Sequence, residues 1–431
     1  MKTVNYSLDK NLEVRHECDI IVAGGGPGGL GAAVMAARNG AKVILIERYG
    51  VLGGMSSVGE VHPFMSNHVN GESLDRPVYQ EWIQAMAKYN VNEDVDGKTM
   101  WNYIDKNISS LAMEDLCLEA GVKILYHHSV ADVIMDGAKI DSLVLFSKSG
   151  FTAVKAKIFI DCTGDADVAA RAGCDVEYGG PSGYCQPMTL CFKLSNVKSD
   201  IEQHVTRAEL TKLYEEAKVR GEIDCPRENV LLFHWLEKDV IHFNTTRVVK
   251  KSAIDGDELS EAEIDAHRQV REYLWFLRKY APGFEKAKIF SMGSHIGVRE
   301  SRRIKGHSWL TRDDFVNQSK FEDSIAKVNY PIDIHSTDGS GTEIVHLKNS
   351  EWYEIPYGCI VPNKVDNLLV GGRPISVDHA IHSSMRVMPP ACSVGQAAGV
   401  AAVMAINENV TLAKLDGVKV HNALIAQGAN L

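Results

Sequence analysis

The chain has 431 residues, 45% of them hydrophobic and 24% charged, a globular composition with apolar material for two cores or one divided one. Its formal net charge is −10 and it has no basic or basic-aromatic run, which excludes an obvious nucleic-acid surface. It contains no run of about 20 apolar residues that would span a membrane, and the polar stretch Met1–Glu17 lacks the apolar centre of a signal peptide; nine cysteines without a CxxC pair fit reduced thiols in a cytoplasmic setting.

The first recognisable unit starts at Asp19. Ile20 to Ala23 read as a buried strand, followed by Gly24-x-Gly26-x-x-Gly29 and a helical run from Leu30 to Asn39 with Gly40 at its C-cap. A second strand, Lys42 to Ile46, ends on Glu47. Strand, glycine turn, helix, strand and acid are the order a dinucleotide-binding unit requires. Gly24 permits the tight turn, and Gly26 lets backbone N–H groups approach a pyrophosphate, with Pro27 and Gly28 in the same binding loop. Gly29 lets the helix lie close on the strands. Glu47, about 20 residues beyond the glycines, is placed to accept hydrogen bonds from an adenosine ribose and would repel a 2′-phosphate. Arg48 and then Gly53-Gly54-Met55-Ser56 add a second glycine turn, where paired glycines bring backbone against a ribityl-pyrophosphate and the Ser56 or Ser57 hydroxyl bonds to it.

Val51 to Asn70 reads as a loop containing His62-Pro63-Phe64, and Pro77–Tyr89 and Ser110–Ala120 read as helices. Three strands follow, Val130–Met135, Ile140–Ser147 and Phe151–Lys155, turned at Asp136-Gly137 and Ser149-Gly150, with Val130 expected to touch the cofactor. This meander feeds a buried strand, Ala156–Ile160, that runs into Asp161-Cys-Thr163-Gly164-Asp165, where the glycine allows a turn beside the first loop.

After Gly179 the pattern turns to polar helices, Asp200–Arg220 and Ser260–Lys279, the latter opened by a Ser260-x-x-Glu263 capping box, with strands at Met188–Leu194 and Val240–Asn244. The last part returns to the cofactor, with a strand Asn367–Val370, then Gly371-Gly372-Arg373, and a helix Ala391–Ile406 whose start carries Gly395, Gln396 and Ala397. A Gly395-x-x-x-Gly399 pair also fits a membrane helix dimer, but about 16 residues is too short to span.

Three segments together, Gly24–Met55, Gly297–Ile304 and Glu354–Gly399 with Arg386-Val-Met-Pro, resemble the FAD-dependent oxidoreductase family, whose FAD domain is similar to that of glutathione reductase and fumarate reductase flavoproteins. The resemblance implies an α/β fold: a Rossmann-like FAD-binding domain, with a parallel sheet and a small antiparallel meander, interrupted by an inserted mixed α+β substrate domain. The expected division is 1–180 and 351–431 for the FAD domain and 181–350 for the insertion. It further implies FAD as cofactor, bound by the residues above together with Thr163, Gly164, Asp165, Gly372, Arg373, Gly395, Gln396 and Ala397. In such flavoproteins the last helix directs its N-terminus at the flavin pyrimidine.

Two cationic clusters carry the expected chemistry. Arg299 and Arg302, with Arg303 and Glu300, would present guanidinium groups to a substrate carboxylate or developing oxyanion, although a salt-bridged strand accounts for them equally well. His379, His382 and Arg386 precede the last helix, and the histidines suit proton transfer near neutral pH. No metal site is expected, since His379 and His382 have no further ligand at recognisable spacing. His62 is a minor candidate for covalent flavin attachment. Without CxxC or a second glycine fingerprint, disulfide reductase chemistry and a separate NAD(P)H domain are not expected. The sequence-level reading is hydride exchange between flavin N5 and a small polar substrate, with an unspecified electron acceptor and an unspecified oligomeric state. The rivals are an enoate reductase of fumarate-reductase type and a non-catalytic flavin-binding sensor.

Overall fold

The computed structural model describes residues 11–89, 103–337, 339–348 and 350–431, so the N-terminal stretch Met1–Glu17 is described only from residue 11. Five parallel strands lie in the order Lys123–Leu125, Val43–Ile46, Val14–Ala23, Gly150–Asp161 and Leu368–Val370. The register is level where it matters: Ala23 pairs with Ile46 and with Asp161, and Asp161 pairs with Val370. Gly24, Glu47, Cys162 and Gly371 therefore emerge side by side at the carboxyl ends of the strands, where open α/β sheets bind ligands.

Two expected strands are one. Gly150–Asp161 is continuous: its first half pairs antiparallel with Lys139–Ser147 and its second half lies in the parallel sheet, so the meander of Ser129–Asp136 and Lys139–Ser147 extends the same sheet. The fingerprint helix is Pro27–Arg38, opening three residues earlier than expected because proline suits the first helical position. The helix expected at Asp200–Arg220 is broken into Ile201–His204 and Arg207–Val219, since Val205 is extended and Thr206 starts a capping box with Glu209. Likewise the long helix runs from Gly256 to Tyr280, capped by Asp255 rather than by Ser260, and Glu263 accepts instead from the Ile296 N–H.

Two apolar cores are present. One joins the parallel sheet to its helices, and the other draws only on residues from Met188 to Val298. Ile304, Leu310, Phe315, Ile325 and Ile332 pack in the first core, so the insertion's own core closes near 298, well before the expected boundary at 350. Its four-stranded sheet has the order Leu232–His234, Ile241–Phe243, Phe192–Ser195, Lys288–Met292. Because strand side chains alternate, one face gives Phe192, Leu194, Ile241 and Phe243 to the core, and the other carries Lys193 and His242, which are register partners.

The last long helix is Met388–Glu408, 21 residues rather than about 16, and among the described residues it is the one helix long and apolar enough to cross a membrane. Its most apolar window is 89% buried inside the protein, so length no longer argues against a span and burial does. The helix lies on the fingerprint helix at backbone distance: a Cβ on Gly395 would sit 1.9 Å from the Gly28 carbonyl, and one on Gly399 2.3 Å from that of Ala32. The Gly395-x-x-x-Gly399 pair thus serves a contact within the chain.

Candidate functional site

At the carboxyl ends of the parallel strands the glycine turn is built as the sequence requires. Gly24 has φ +103 and a Cβ there would strike the Cys162 carbonyl at 2.3 Å. Gly26 is different. Its φ of −78 suits any residue, and a Cβ would meet only the Gly54 Cα, at 3.9 Å. The bare backbone at Gly26 and Gly54 keeps a slot open at the N-terminus of the fingerprint helix, which has no side-chain cap and no acidic residue in its first turn. Free N–H groups, a favourable helix dipole and a slot that a side chain would fill suit a pyrophosphate.

Glu47 is buried, with Oε2 accepting from the Gly25 N–H at 2.8 Å and Oε1 from the Tyr49 N–H at 2.9 Å. Burial raises its carboxyl above the ordinary value, opposed by those two hydrogen bonds. Each oxygen keeps a second lone pair for a ribose hydroxyl. Arg48 is exposed and turns toward the insertion, where its Nη2 lies 3.3 Å from His295 Nε2.

Several expected cofactor contacts are committed elsewhere. The Ser56 hydroxyl is fully buried on the Gly53 carbonyl and the Ser109 hydroxyl, and Ser57 bonds to Leu52, so neither hydroxyl faces the slot. Gln396 bonds to the Arg76 carbonyl and the Val78 N–H, Ala397 is fully buried, and the helix begins at Met388. Gly395, Gln396 and Ala397 are therefore interior packing residues two turns beyond the helix start, where Pro389 and Pro390 carry no N–H. Met55 lies against Gly59, and Val130 is half-buried in the meander, paired with Leu145.

The second motif forms a junction with the insertion. Asp161 is buried and accepts from the Thr163 N–H and hydroxyl and from the Ala169 N–H, and Gly164 turns with φ +85. Arg373 follows Gly372 and donates to the carbonyls of Gly164 and Val298 and to Asp165, which also accepts from Ser301. Arg302 belongs here too: its Nε donates to the Asp165 carbonyl at 2.7 Å and its Nη2 to Asp167 at 2.5 Å. The expectation that Arg302 faces substrate is corrected, because its guanidinium ties the returning chain to the dinucleotide loop. The strand that could have held Arg299 to Arg303 covers only Arg302–Ile304.

His379, His382 and Arg386 sit at i, i+3 and i+7 of one short helix, His379–Met385, with Arg386 at its C-cap, and so share a face. His379 Nδ1 donates to Glu300 Oε1 at 2.8 Å, and the same carboxylate takes Arg303 and, through Oε2, the Gln186 N–H. Burial works against ionisation of Glu300, but the His379 bond with the His379 and Arg303 charges holds it below the ordinary value. His382 is fully buried without a hydrogen-bond partner among the described residues, and burial, then Arg303, Arg373 and Arg386, push its imidazole well down. A proton-transfer role in contact with substrate is therefore corrected for His382.

Arg386 joins Arg299, 87 residues earlier, in a cluster the sequence did not reveal. Burial, then Arg386 and Arg227, lower the Arg299 guanidinium to about 9, yet the side chain keeps accessible surface, as one lining an internal cleft does. Its Nη1 is held by the Pro187 carbonyl and Thr189 Oγ1. Asp333 sits 3.8 Å from Arg386 Nη2, takes the Tyr330 hydroxyl at 3.2 Å and lies 3.6 Å from His335 Nε2. Burial, then Arg299, Arg386 and Arg227, hold His335 neutral. Gln186 links the two networks, since its Oε1 accepts from the His335 N–H while its backbone donates to Glu300. Arg227, Asp333 and His335 carried no sequence signal: Arg227 is an isolated polar residue in an irregular segment, and Asp333 and His335 lie in a short strand, Ile332–His335, that the sequence did not mark.

On the polar face of the insertion's sheet, His242 is buried with both ring nitrogens unpartnered among the described residues. His62 stands against it, ring centroids 4.9 Å apart, and accepts from the Ile104 N–H; burial and then Lys193 lower it to about 3. No group of three or more metal-binding side chains occurs among the described residues.

A family model described as FAD dependent oxidoreductase matches residues 19–424. Thiamine thiazole synthase of Methanococcus vannielii is 30% identical over 163 residues, 36% of this chain and 59% of that protein. Digeranylgeranylglycerophospholipid reductase of Methanocaldococcus jannaschii is 24% identical over 203 residues, 43% and 47% respectively, so the chain spans about half the length of these curated relatives. A geranylgeranyl bacteriochlorophyll reductase-like structure from Thermoplasma acidophilum aligns over 96% of this chain and 84% of that one, at 14% identity and a TM-score of 0.47.

Proposed function

The chain belongs to the FAD dependent oxidoreductase family, and on that premise we propose that it exchanges a hydride with a small polar substrate in the cleft between the polar face of the insertion's sheet and the dinucleotide domain. The observation that carries this reading is the convergence of Arg299 and Arg386 with His335 and Asp333, from segments far apart in sequence.

FAD supplies the two-electron acceptor or donor at N5. Gly24, Gly26, Gly54 and Glu47 hold its nucleotide end, and the junction of Gly164, Asp165 and Arg373 fixes the loop beside it. Arg299 and Arg386 orient an anionic or polyhydroxy substrate. In the oxidising direction a hydride leaves a substrate carbon, and the proton of the adjacent hydroxyl passes to His379 Nε2, while His379 Nδ1 donates to Glu300. The same Glu300 carboxylate takes Arg303, in the network that backs the cleft.

Anaerobic mixing with sugars, hydroxy acids and amines, watching the flavin bleach, tests the reading; a panel that leaves oxidised flavin untouched while reduced enzyme turns over an enoate reverses the direction. Single-turnover reduction assigns the base. His379→Asn should lose about 10²–10⁴-fold and His335→Asn much less, and the opposite order would move the role to His335.

A further inference from the structure

The charges around the cleft do not balance. The Arg386 guanidinium makes no hydrogen bond among the described residues: its Nε is buried and unpartnered, and Asp333 approaches only to 3.8 Å. Arg227 is 5% exposed and donates only from Nε, to Asn229 at 3.4 Å, leaving both terminal nitrogens without a protein partner among the described residues. Arg299 uses Nη1 alone. By contrast, Arg247 nearby is neutralised by Glu228 at 3.0 Å. Arg299 and Arg386 thus share one carboxylate, Asp333, and Arg227 beside them shares Glu228 with Arg247, whereas buried cations of this kind are stable only when fully paired. Burial first, and then the Arg386 and Arg227 charges, set the low value of Arg299.

The other end of the cleft has the complementary surplus. His242, on the polar face of the strand Ile241–Phe243, has two buried nitrogens unpartnered among the described residues, and Asn244, one residue beyond that strand, has a buried unpartnered Oδ1. Glu60, bridging Lys193 and Lys106, also leaves Oε2 unpartnered. Arg299, Arg227, Glu60 and Lys193 all lie within electrostatic reach of Cys191. Acceptors without donors suit hydroxyl groups, and guanidinium forks without acceptors suit a carboxylate.

Resting on the oxidoreductase reading above, we propose that the substrate is a hydroxy carboxylate. Arg227 and Arg299 clamp its carboxylate, with Arg386 beside them, and Asn244 takes a hydroxyl group. Arg227 and Asn244 set specificity, the first for charge and the second for hydroxylation.

The test titrates FAD-loaded protein with glycolate, glycerate and gluconate, and with acetate, sorbitol and glycerol phosphate as controls, by calorimetry and by the flavin difference spectrum. A hydroxy acid should bind more tightly than acetate, sorbitol or the phosphate ester. Arg227→Gln should weaken that ligand by about 10–100-fold and leave sorbitol unchanged, whereas Asn244→Ala should weaken the hydroxy acid and leave acetate unchanged. FAD content and melting temperature check each variant, and if Arg227→Gln does not fold, Arg227→Lys, which keeps the charge and loses the fork, is read the same way. Sorbitol or phosphate ester binding as tightly as every hydroxy acid, or a folded Arg227 variant with unchanged affinity, overturns the proposal. Bleaching by neutral sugars or amines alone would sink the carboxylate clamp and leave hydride exchange standing. A hydroxy acid that binds through Arg227 without ever reducing the flavin would do the reverse.

Discussion

Glu47 Oε2 accepts the Gly25 N–H at 2.8 Å, across 22 residues of chain, so the acid that awaits a ribose also fastens the glycine turn. Glu47→Ala should therefore do two kinds of damage. Loss of a charge-assisted bond to ribose weakens FAD by about 10–100-fold, and loss of the Gly25 and Tyr49 bonds loosens both turns even without cofactor. Apoprotein titration with FAD checks the first effect, and thermal melting of the apoprotein checks the second. Unchanged values in both experiments would remove Glu47 from this position in the argument.

The glycines separate into two kinds. At Gly26 a Cβ meets nothing closer than 3.9 Å, whereas at Gly29 it would sit 1.9 Å from the Gly24 carbonyl. Gly26→Val should give a folded protein that cannot hold FAD, since the side chain fills the open slot. Gly29→Ala and Gly395→Ala should fail to fold, because backbone must move in each. Circular dichroism with FAD content distinguishes the outcomes; a Gly26→Val protein that keeps stoichiometric FAD would show that the slot is not the pyrophosphate site.

Arg299 and Arg302, three residues apart, should respond in opposite ways. Arg302→Ala removes the bonds to the Asp165 carbonyl and Asp167 that tie the returning chain to the cofactor loop, so melting temperature and FAD retention should both fall. Arg299→Met removes a buried cation with no carboxylate of its own, and the melting temperature should hold or rise while substrate binding weakens by about 10–100-fold. Equal melting temperatures with equal losses of substrate affinity would put both arginines in one role.

Asp75 supplies a pH signature. It is fully buried, bonded to Ser393 and Asn67, and burial raises its carboxyl to about 7 from an ordinary 3.8. Between those values the folded chain holds a proton that the unfolded chain has released, so stability falls as pH rises from about 4 to 7 and stays lower above it. Asp75→Asn, which preserves both hydrogen bonds by presenting its oxygen to Asn67 and its amide to Ser393, should flatten that slope and stabilise the protein above pH 7. Denaturant titrations at pH 5 and pH 8 measure the difference; identical slopes in the two proteins would mean that Asp75 is ionised throughout.

What the sequence made legible was local. Gly24 to Glu47 and Asp161 to Gly164 each fold within a few turns of chain, so spacing alone places their strands, turns and helix. Arg299 and Arg386 were read as two separate clusters because nothing in their spacing shows that irregular segments bring them together around Asp333. Arg302 was misread for the opposite reason. Its neighbours in sequence look like a binding strand, but its partners, Asp165 and Asp167, lie more than a hundred residues away. The start of the last helix was placed three residues late, and that shift moved Gly395, Gln396 and Ala397 from the packed interior to an imagined tip.

The contact between Gly28 and Gly395 also orders events in time. Residues 27–38 carry the pyrophosphate loop, yet the surface they rest on is made by residues 388–408, so a chain still being synthesised exposes the small-residue face of the fingerprint helix until its partner emerges. Capture of FAD is therefore a late step of biogenesis, after the whole insertion has been made. A chain stopped at residue 387 should leave the ribosome without cofactor and depend on chaperones, even though every glycine of its fingerprint is intact.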